Sequence, residues 1–339
     1  MPIGPHEAAL WKPAGDGAVD CFLCAHRCHI IPSKRGICRA RANVEGKLVT
    51  LVYGRLIARH VDPIEKKPLF HFLPGTPSYS IATVGCNFQC GFCQNWQISQ
   101  WPRSGEGEMP GEPATPEDVV AAAEESRCAS IAYTYTEPTI FYEFARDVGR
   151  LARRAGLKNV FVTNGYMTPE AIGEMIEWLD AANVDLKAWK DSFYRTVCKA
   201  RLEPVTTAIR LLHEAGVHVE VTTLLVPGQN DDPNDLKGIA EFLVSVSPEI
   251  PWHVTRYHPD FQVRSPPPTP MAALERALEI GRRAGLRFVY AGNVAGMQDT
   301  VCPSCGETVI ARVGLSVVAE NLRGNACGKC GAAIPIIRS

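Results

Sequence analysis

Between residues 80 and 292 the chain alternates short apolar runs with segments of helical period. The runs are SIATVG (80–85), SIAYTY (130–135), NVFVTN (159–164), NVDLKA (183–188), HVEVTTLLV (218–226), WHVTRY (252–257) and RFVYAG (287–292). Each has strand length and carries β-branched or aromatic residues. Helix-period segments lie between most of them: one after Thr115-Pro116, then Pro138–Ala155, Pro169–Ala181, Val205–Ala215, Asp235–Val246 and Ala272–Ala284. Thr115 places a capping hydroxyl before a proline suited to the first helical position. Gly156, Gly216 and Gly285 follow three of the segments as C-cap candidates. The alternation predicts right-handed βαβ units on a parallel sheet, either open and doubly wound or closed into a complete or partial barrel. No GxGxxG follows the first strand, which weighs against a dinucleotide-binding sheet.

In both architectures function sits at the C-terminal ends of the strands. The polar residues gather there. Cys86–Cys93 follow the first strand, TEPT (136–139) the second, TNG (163–165) the third, PGQND (227–231) the fifth and RYHPD (256–260) the sixth. Asp185 and Lys187, two apart on the fourth, face the same side. Charged groups pointing inward need partners, and they find them in each other or in a zwitterionic ligand. Asn164, Arg256 and His258 hold equivalent strand-end positions.

Composition bounds the picture. The 339 residues allow one large α/β domain with small modules, and 46% hydrophobic residues can fill its core. A net charge of −1 excludes a general affinity for nucleic acid or anionic membrane. The N-terminus lacks a basic segment followed by an apolar one, and no apolar run approaches about 18–20 residues. A soluble, cytoplasmic protein is expected. Three regions follow: a Cys-rich segment at 1–77, a core domain at 78–295 and a small module at 296–339.

Thirteen cysteines change the picture most. In a cytosolic chain clustered cysteines bind metal more often than they form disulfides. Cys302, Cys305, Cys327 and Cys330 form two CxxC knuckles that read as a zinc ribbon, with zinc favoured over a single iron. Cys21, Cys24, Cys28 and Cys38, with His26 and His29 among them, suit zinc first and an auxiliary iron–sulfur cluster second, with no metal as the third reading. Cys128 and Cys198 stand alone and read as small buried hydrophobes. Cys86, Cys90 and Cys93 form a CxxxCxxC triplet without a fourth member. Three thiolates on one loop leave a metal corner open. That suits a cubane better than a catalytic zinc, whose usual ligand sets include histidine; a zinc completed by a remote residue is the remaining alternative.

With Phe92 before its last cysteine and a strand before its first, this triplet resembles the defining motif of the radical S-adenosylmethionine (SAM) superfamily. The resemblance covers about residues 78–295 and implies a partial (βα)6-type TIM barrel. It implies that Cys86, Cys90 and Cys93 ligate a [4Fe–4S] cluster whose fourth iron is chelated by SAM. Reductive cleavage of SAM then yields a 5′-deoxyadenosyl radical that abstracts hydrogen. Phe92 would face adenine. The family's glycine-rich GGEP segment appears here as Tyr135-Thr136-Glu137-Pro138, which makes Thr134, Thr136 and Glu137 the SAM-contact candidates. Asp185 and Lys187 match a DxK pattern of glycyl-radical activating enzymes that contacts the methionyl part of SAM. Asn164 and His258 complete the cofactor-binding candidates.

The flanks narrow the resemblance. The leading cysteines, Tyr53-Gly54, Asp62–Leu69, His71-Phe72, Pro74-Gly75, Gly85–Asn95, Tyr133–Thr139 and Asp185–Lys187 closely resemble the radical SAM member of the AmmeMemoRadiSam system. That family is similar to the pyruvate formate-lyase activating enzymes. The resemblance implies Memo-like and AMMECR1-like partners and a reductant such as flavodoxin or ferredoxin. Two rivals remain: activation of a glycyl-radical protein, and a non-catalytic Fe–S or zinc protein of electron transfer or assembly.

Overall fold

The computed structural model describes residues 6–104 and 107–338. Its centre is one eight-stranded sheet. The strands are β1 (Ala58–Pro63), β2 (Pro77–Ala82), β3 (Ser130–Tyr133), β4 (Lys158–Thr163), β5 (Ala181–Asp185), β6 (His218–Leu225), β7 (Trp252–Arg256) and β8 (Val289–Gly292). They lie side by side in chain order. From β2 to β8 every pairing is parallel, whereas β1 runs antiparallel to β2. β1 and β8 form the two edges and do not pair, so the barrel is partial.

The helices that return the chain are α1 (Pro116–Glu125), α2 (Tyr142–Arg154), α3 (Pro169–Met175), α4 (Leu202–Glu214), α5 (Pro233–Val246) and α6 (Met271–Ala284). Six βα units followed by a seventh parallel strand therefore make the core. Local sequence sets their ends. Thr115 caps α1 in a reciprocal capping box with Asp118, and Thr168 and Asp232 cap α3 and α5. Each of these three helices has proline in its first turn.

α3, β5 and β1 differ from the sequence expectation. α3 stops at Met175, well short of Ala181. Ala181 and Ala182 already pair with His218 and Val219, because small residues there let two buried strands approach. The same shift ends β5 at Asp185, leaving Lys187 just beyond it. β1 comes from the segment at 1–77, outside the expected core domain. Its ARHVDP sequence is polar and ends in proline, which suits an edge.

The inner face of the sheet is capped at its lower end by a buried polar network. Glu220 on β6 accepts hydrogen bonds from the His71 backbone (2.7 Å) and pairs with His218 (3.0 Å) and His253 (2.6 Å). His71 Nε2 lies 2.6 Å from the Tyr290 hydroxyl, which donates to Thr300 at 3.0 Å. Arg312 joins from the C-terminal module, donating to Thr300 and to the Phe70 carbonyl. That module is a three-stranded antiparallel sheet (Thr300–Val301, Thr308–Val313, Ser316–Glu320) with a short hairpin (Leu322–Arg323, Ala326–Cys327). Leu73 and His71 hold its tail through backbone bonds to Ile337.

Candidate functional site

At the upper end of the sheet a cavity of about 520 Å³ opens over the strand ends. Cys86, Cys90 and Cys93 line it on one loop, with Phe88 and Phe92 beside them. Gly85 feeds this loop with φ +109, a conformation L side chains rarely adopt. The Phe88 amide donates to Cys86 Sγ at 3.3 Å, and the Ser99 hydroxyl lies 3.2 Å from Cys93 Sγ. Burial pushes the Cys86 and Cys93 thiols up, and Cys198 followed by burial does so for Cys90. Such thiols give up their protons when a metal takes them, which couples binding to deprotonation.

The second and third strand ends are tied by one carboxylate. Glu137 accepts from the Thr139 amide (3.0 Å) and hydroxyl (2.5 Å), the Thr163 hydroxyl (2.7 Å) and the Asn164 amide (2.8 Å). Burial raises its pKa against these donors. Asn164 then reaches the cysteine loop: its Nδ2 donates to Asn87 Oδ1 at 2.7 Å and lies 3.7 Å from Cys86 Sγ. Gly165 must follow, since its φ is +68 and a Cβ there would meet Val184 at 2.7 Å. Thr134 donates its amide to Ile81, and Thr136 its hydroxyl to Thr83. Tyr135, in a place where the family pattern has glycine, takes φ +62. It is held there by its hydroxyl on Asp62 and by Lys67 4.7 Å over its ring.

Opposite lie Asp185 and Lys187, paired at 2.9 Å. Burial would lower the Lys187 ammonium, but Asp185, Cys90 and Cys198 outweigh it and keep the side chain charged. The cavity therefore brings together Cys86, Cys90, Cys93, Phe92, Thr134, Thr136, Glu137, Asn164, Asp185 and Lys187. His258 is the exception. β7 ends at Arg256, Tyr257 takes the buried place, and His258 turns outward, exposed. Arg256 spends its guanidinium on the Thr269 carbonyl.

Several site residues escaped the sequence reading. Lys66 and Lys67 line the cavity, although EKKP reads as a solvated charge face. Lys67 is 1% exposed and donates to Asp62 at 2.7 Å; burial lowers its pKa to about 8 despite that partner. Cys198, isolated in sequence, lies at the end of a π-helical turn against Cys90. No short-range pattern marks either. Two buried polar atoms that line the cavity, Gln94 Nε2 and Thr222 Oγ1, have no partner among the described residues. Buried polar groups are rarely left so, and these point to a polar guest.

The C-terminal cysteines make a different centre. The four sulfurs of Cys302, Cys305, Cys327 and Cys330 lie within 4.8 Å of one another, with 3.6 Å from Cys302 to Cys330 and 3.7 Å from Cys305 to Cys327. A zinc–sulfur bond of about 2.3 Å gives a tetrahedron with edges of about 3.8 Å. A disulfide needs about 2.05 Å, so these are ligands or free thiols. The backbone amides of Ser304 and Cys305 outweigh burial and lower Cys302 to about 7.

A parallel, partly closed βα sheet with three thiols at a cavity on its upper rim defines the class. The Radical SAM superfamily profile matches residues 80–243. The chain is 42% identical over 336 residues to the uncharacterized protein MJ0808 of Methanocaldococcus jannaschii, covering 98% of this chain and 99% of the relative. It is 24% identical over 182 residues to the putative glycyl-radical enzyme activating enzyme MJ1632 of the same organism, covering 52% of this chain and 66% of the relative. A radical SAM methyltransferase from Sphaerobacter thermophilus shares the fold, with a TM-score of 0.51 at 18% identity over 69% of this chain and 70% of that one. Residues 80–243 form a radical SAM superfamily domain.

Proposed function

We propose that Cys86, Cys90 and Cys93 hold a [4Fe–4S] cluster, that SAM occupies the cavity above them, and that the enzyme abstracts hydrogen from a substrate of its own. One observation carries the reading: three thiols on one loop face a cavity of about 520 Å³ that contains orphaned buried polar atoms. The residues fit such a group. Reductive cleavage of SAM at the cluster is the chemistry it supplies, giving a 5′-deoxyadenosyl radical.

The chain's own side chains position and shield. Phe88 and Phe92 exclude water beside the thiols. Glu137 has every oxygen engaged, so it braces the strand ends rather than contacting SAM. The amide and hydroxyl groups of Gln94 and Thr222 are free for SAM, and the Asp185–Lys187 pair offers charges of both signs to a zwitterion.

The same reading includes the AmmeMemoRadiSam assignment, with Memo-like and AMMECR1-like partners, a flavodoxin or ferredoxin as reductant and a cytoplasmic location. No helix among the described residues is long and apolar enough to cross a membrane. It also keeps the division at 1–77, 78–295 and 296–339, with zinc in the C-terminal quartet. A second reading, activation of a glycyl-radical protein, draws on the resemblance to MJ1632 and on the unpaired edges β1 and β8, which leave the barrel open to a peptide loop. The test is anaerobic reconstitution with iron, sulfide, dithionite and SAM. 5′-Deoxyadenosine is the expected product. Its absence from protein with an intact cluster overturns the proposal.

A further inference from the structure

The N-terminal cysteines are neither dispersed nor gathered around one ion. Cys21 ends a short strand (Val19–Cys21), and its amide bonds to the Cys28 carbonyl at 2.9 Å, just before the returning strand His29–Ile30. Cys24 lies in the turn between them, and Cys38 comes from the next loop. Cys21, Cys24 and Cys38 are buried, and Cys21, Cys28 and Cys38 all stand near Cys24. The buried Arg41 guanidinium donates to Cys21 Sγ at 3.5 Å. A lone buried cysteine needs no such donor; a thiolate ligand does.

Spacing separates the two metal classes. Among the described residues, the C-terminal quartet alone brings three or more ligand atoms within reach of one ion. The N-terminal four do not, and neither do Cys86, Cys90 and Cys93. A cubane spreads its ligands over several irons, so its sulfurs stand farther apart than around zinc. The histidines are engaged elsewhere: His26 Nε2 is 2.9 Å from the Asn87 carbonyl, and His29 pairs with Asp20. The group also abuts the cysteine loop. Arg103 donates to the Ile37 carbonyl (3.1 Å) and to the Cys86 carbonyl (2.9 Å), and the Cys38 carbonyl packs on Gly85.

We infer that Cys21, Cys24, Cys28 and Cys38 hold a second [4Fe–4S] cluster, adjacent to the loop of the first. The site does not depend on SAM chemistry. Its test is the combined variant Cys86→Ala, Cys90→Ala, Cys93→Ala, reconstituted anaerobically with iron and sulfide. The expected result is a cubane Mössbauer spectrum, with an EPR signal after dithionite that disappears when Cys24→Ser is added. Zinc, a mononuclear iron or no iron at all in the combined variant overturns the inference, while leaving SAM cleavage by the wild type untouched. If the combined variant does not fold, wild-type iron and Mössbauer analysis decides: two cubanes per chain support the site, and one refutes it.

Discussion

Two groups of cysteines stand at opposite ends of the barrel and are arranged in opposite ways. Cys302, Cys305, Cys327 and Cys330 come from two knuckles and close around a single point, with their sulfurs within 4.8 Å. Cys86, Cys90 and Cys93 come from one loop, do not close, and face a cavity with unpaired polar atoms. A complete ligand set takes up a metal's valence and yields stability. An incomplete set beside a built cavity keeps a position for chemistry. The supports differ as well: the open site hangs on strand ends braced by Glu137 and Asn164, whereas the closed module is anchored through Arg312 and the tail bonds to His71 and Leu73.

The largest expected effect breaks the comparison directly. Cys90→Ala should remove 5′-deoxyadenosine formation to below detection while leaving the thermal transition nearly in place. If SAM cleavage survived, the open triplet would not be the reactive centre. The paired Cys302→Ser, Cys327→Ser variant should do the reverse. Structural zinc contributes about 10–16 kcal/mol in isolated zinc-finger peptides. In a module already packed on a barrel we expect several kcal/mol of lost stability by denaturant titration, with cluster iron retained at low temperature.

Glu137→Gln comes next. It weakens a buried carboxylate that accepts four hydrogen bonds, so about 2–3 kcal/mol of stability should go. Because Asn164 loses its anchor, the KM for SAM should rise as well; a change in stability alone would make Glu137 merely structural.

The base of the barrel offers a pH test. Burial lowers His71 from 6.5 to about 3, and the His218 and His253 donors outweigh burial to hold Glu220 below the usual carboxylate range. Between about pH 6.5 and 3 the unfolded chain binds protons that folded His71 does not, so stability falls as pH drops through that window. Glu220 adds a loss in the same direction below its unfolded pKa of 4.5. Denaturant titrations at pH 7 and 5 should differ by about 2 kcal/mol, and His71→Phe should flatten that slope. The smallest effect belongs to Arg27→Ala. Its pair with Glu170 lies half in solvent at 51% and 45% exposure, and its loss should cost under about 1 kcal/mol without changing activity.

Much of this was legible in the chain. All seven parallel strands and the helices between them follow from periodicity, because an apolar run of strand length between amphipathic segments has few other places to go. The triplet and the two CxxC knuckles follow from cysteine spacing, and the Glu137, Asn164, Asp185 and Lys187 positions from strand-end logic. His258 did not, since a strand that ends one residue early re-aims the side chains after it. Lys67 was hidden for another reason: a lysine in a charged run reads as solvated until Asp62 and Tyr135, the latter far along the chain, are seen to enclose it. Cys198 meets Cys90 across 108 residues through a π-helical turn that no spacing rule announces.

What the sequence determined by itself was the order of the βα units and the count and spacing of thiols on each loop, because these are set by bonds and periodicities only a few residues long. The tertiary structure alone decided which sulfurs come within reach of one point, which buried polar atoms lack a partner among the described residues, and that Glu220 with three histidines seals the lower end of the barrel. Those outcomes depend on distances between residues remote along the chain, and only the packed sheet sets such distances.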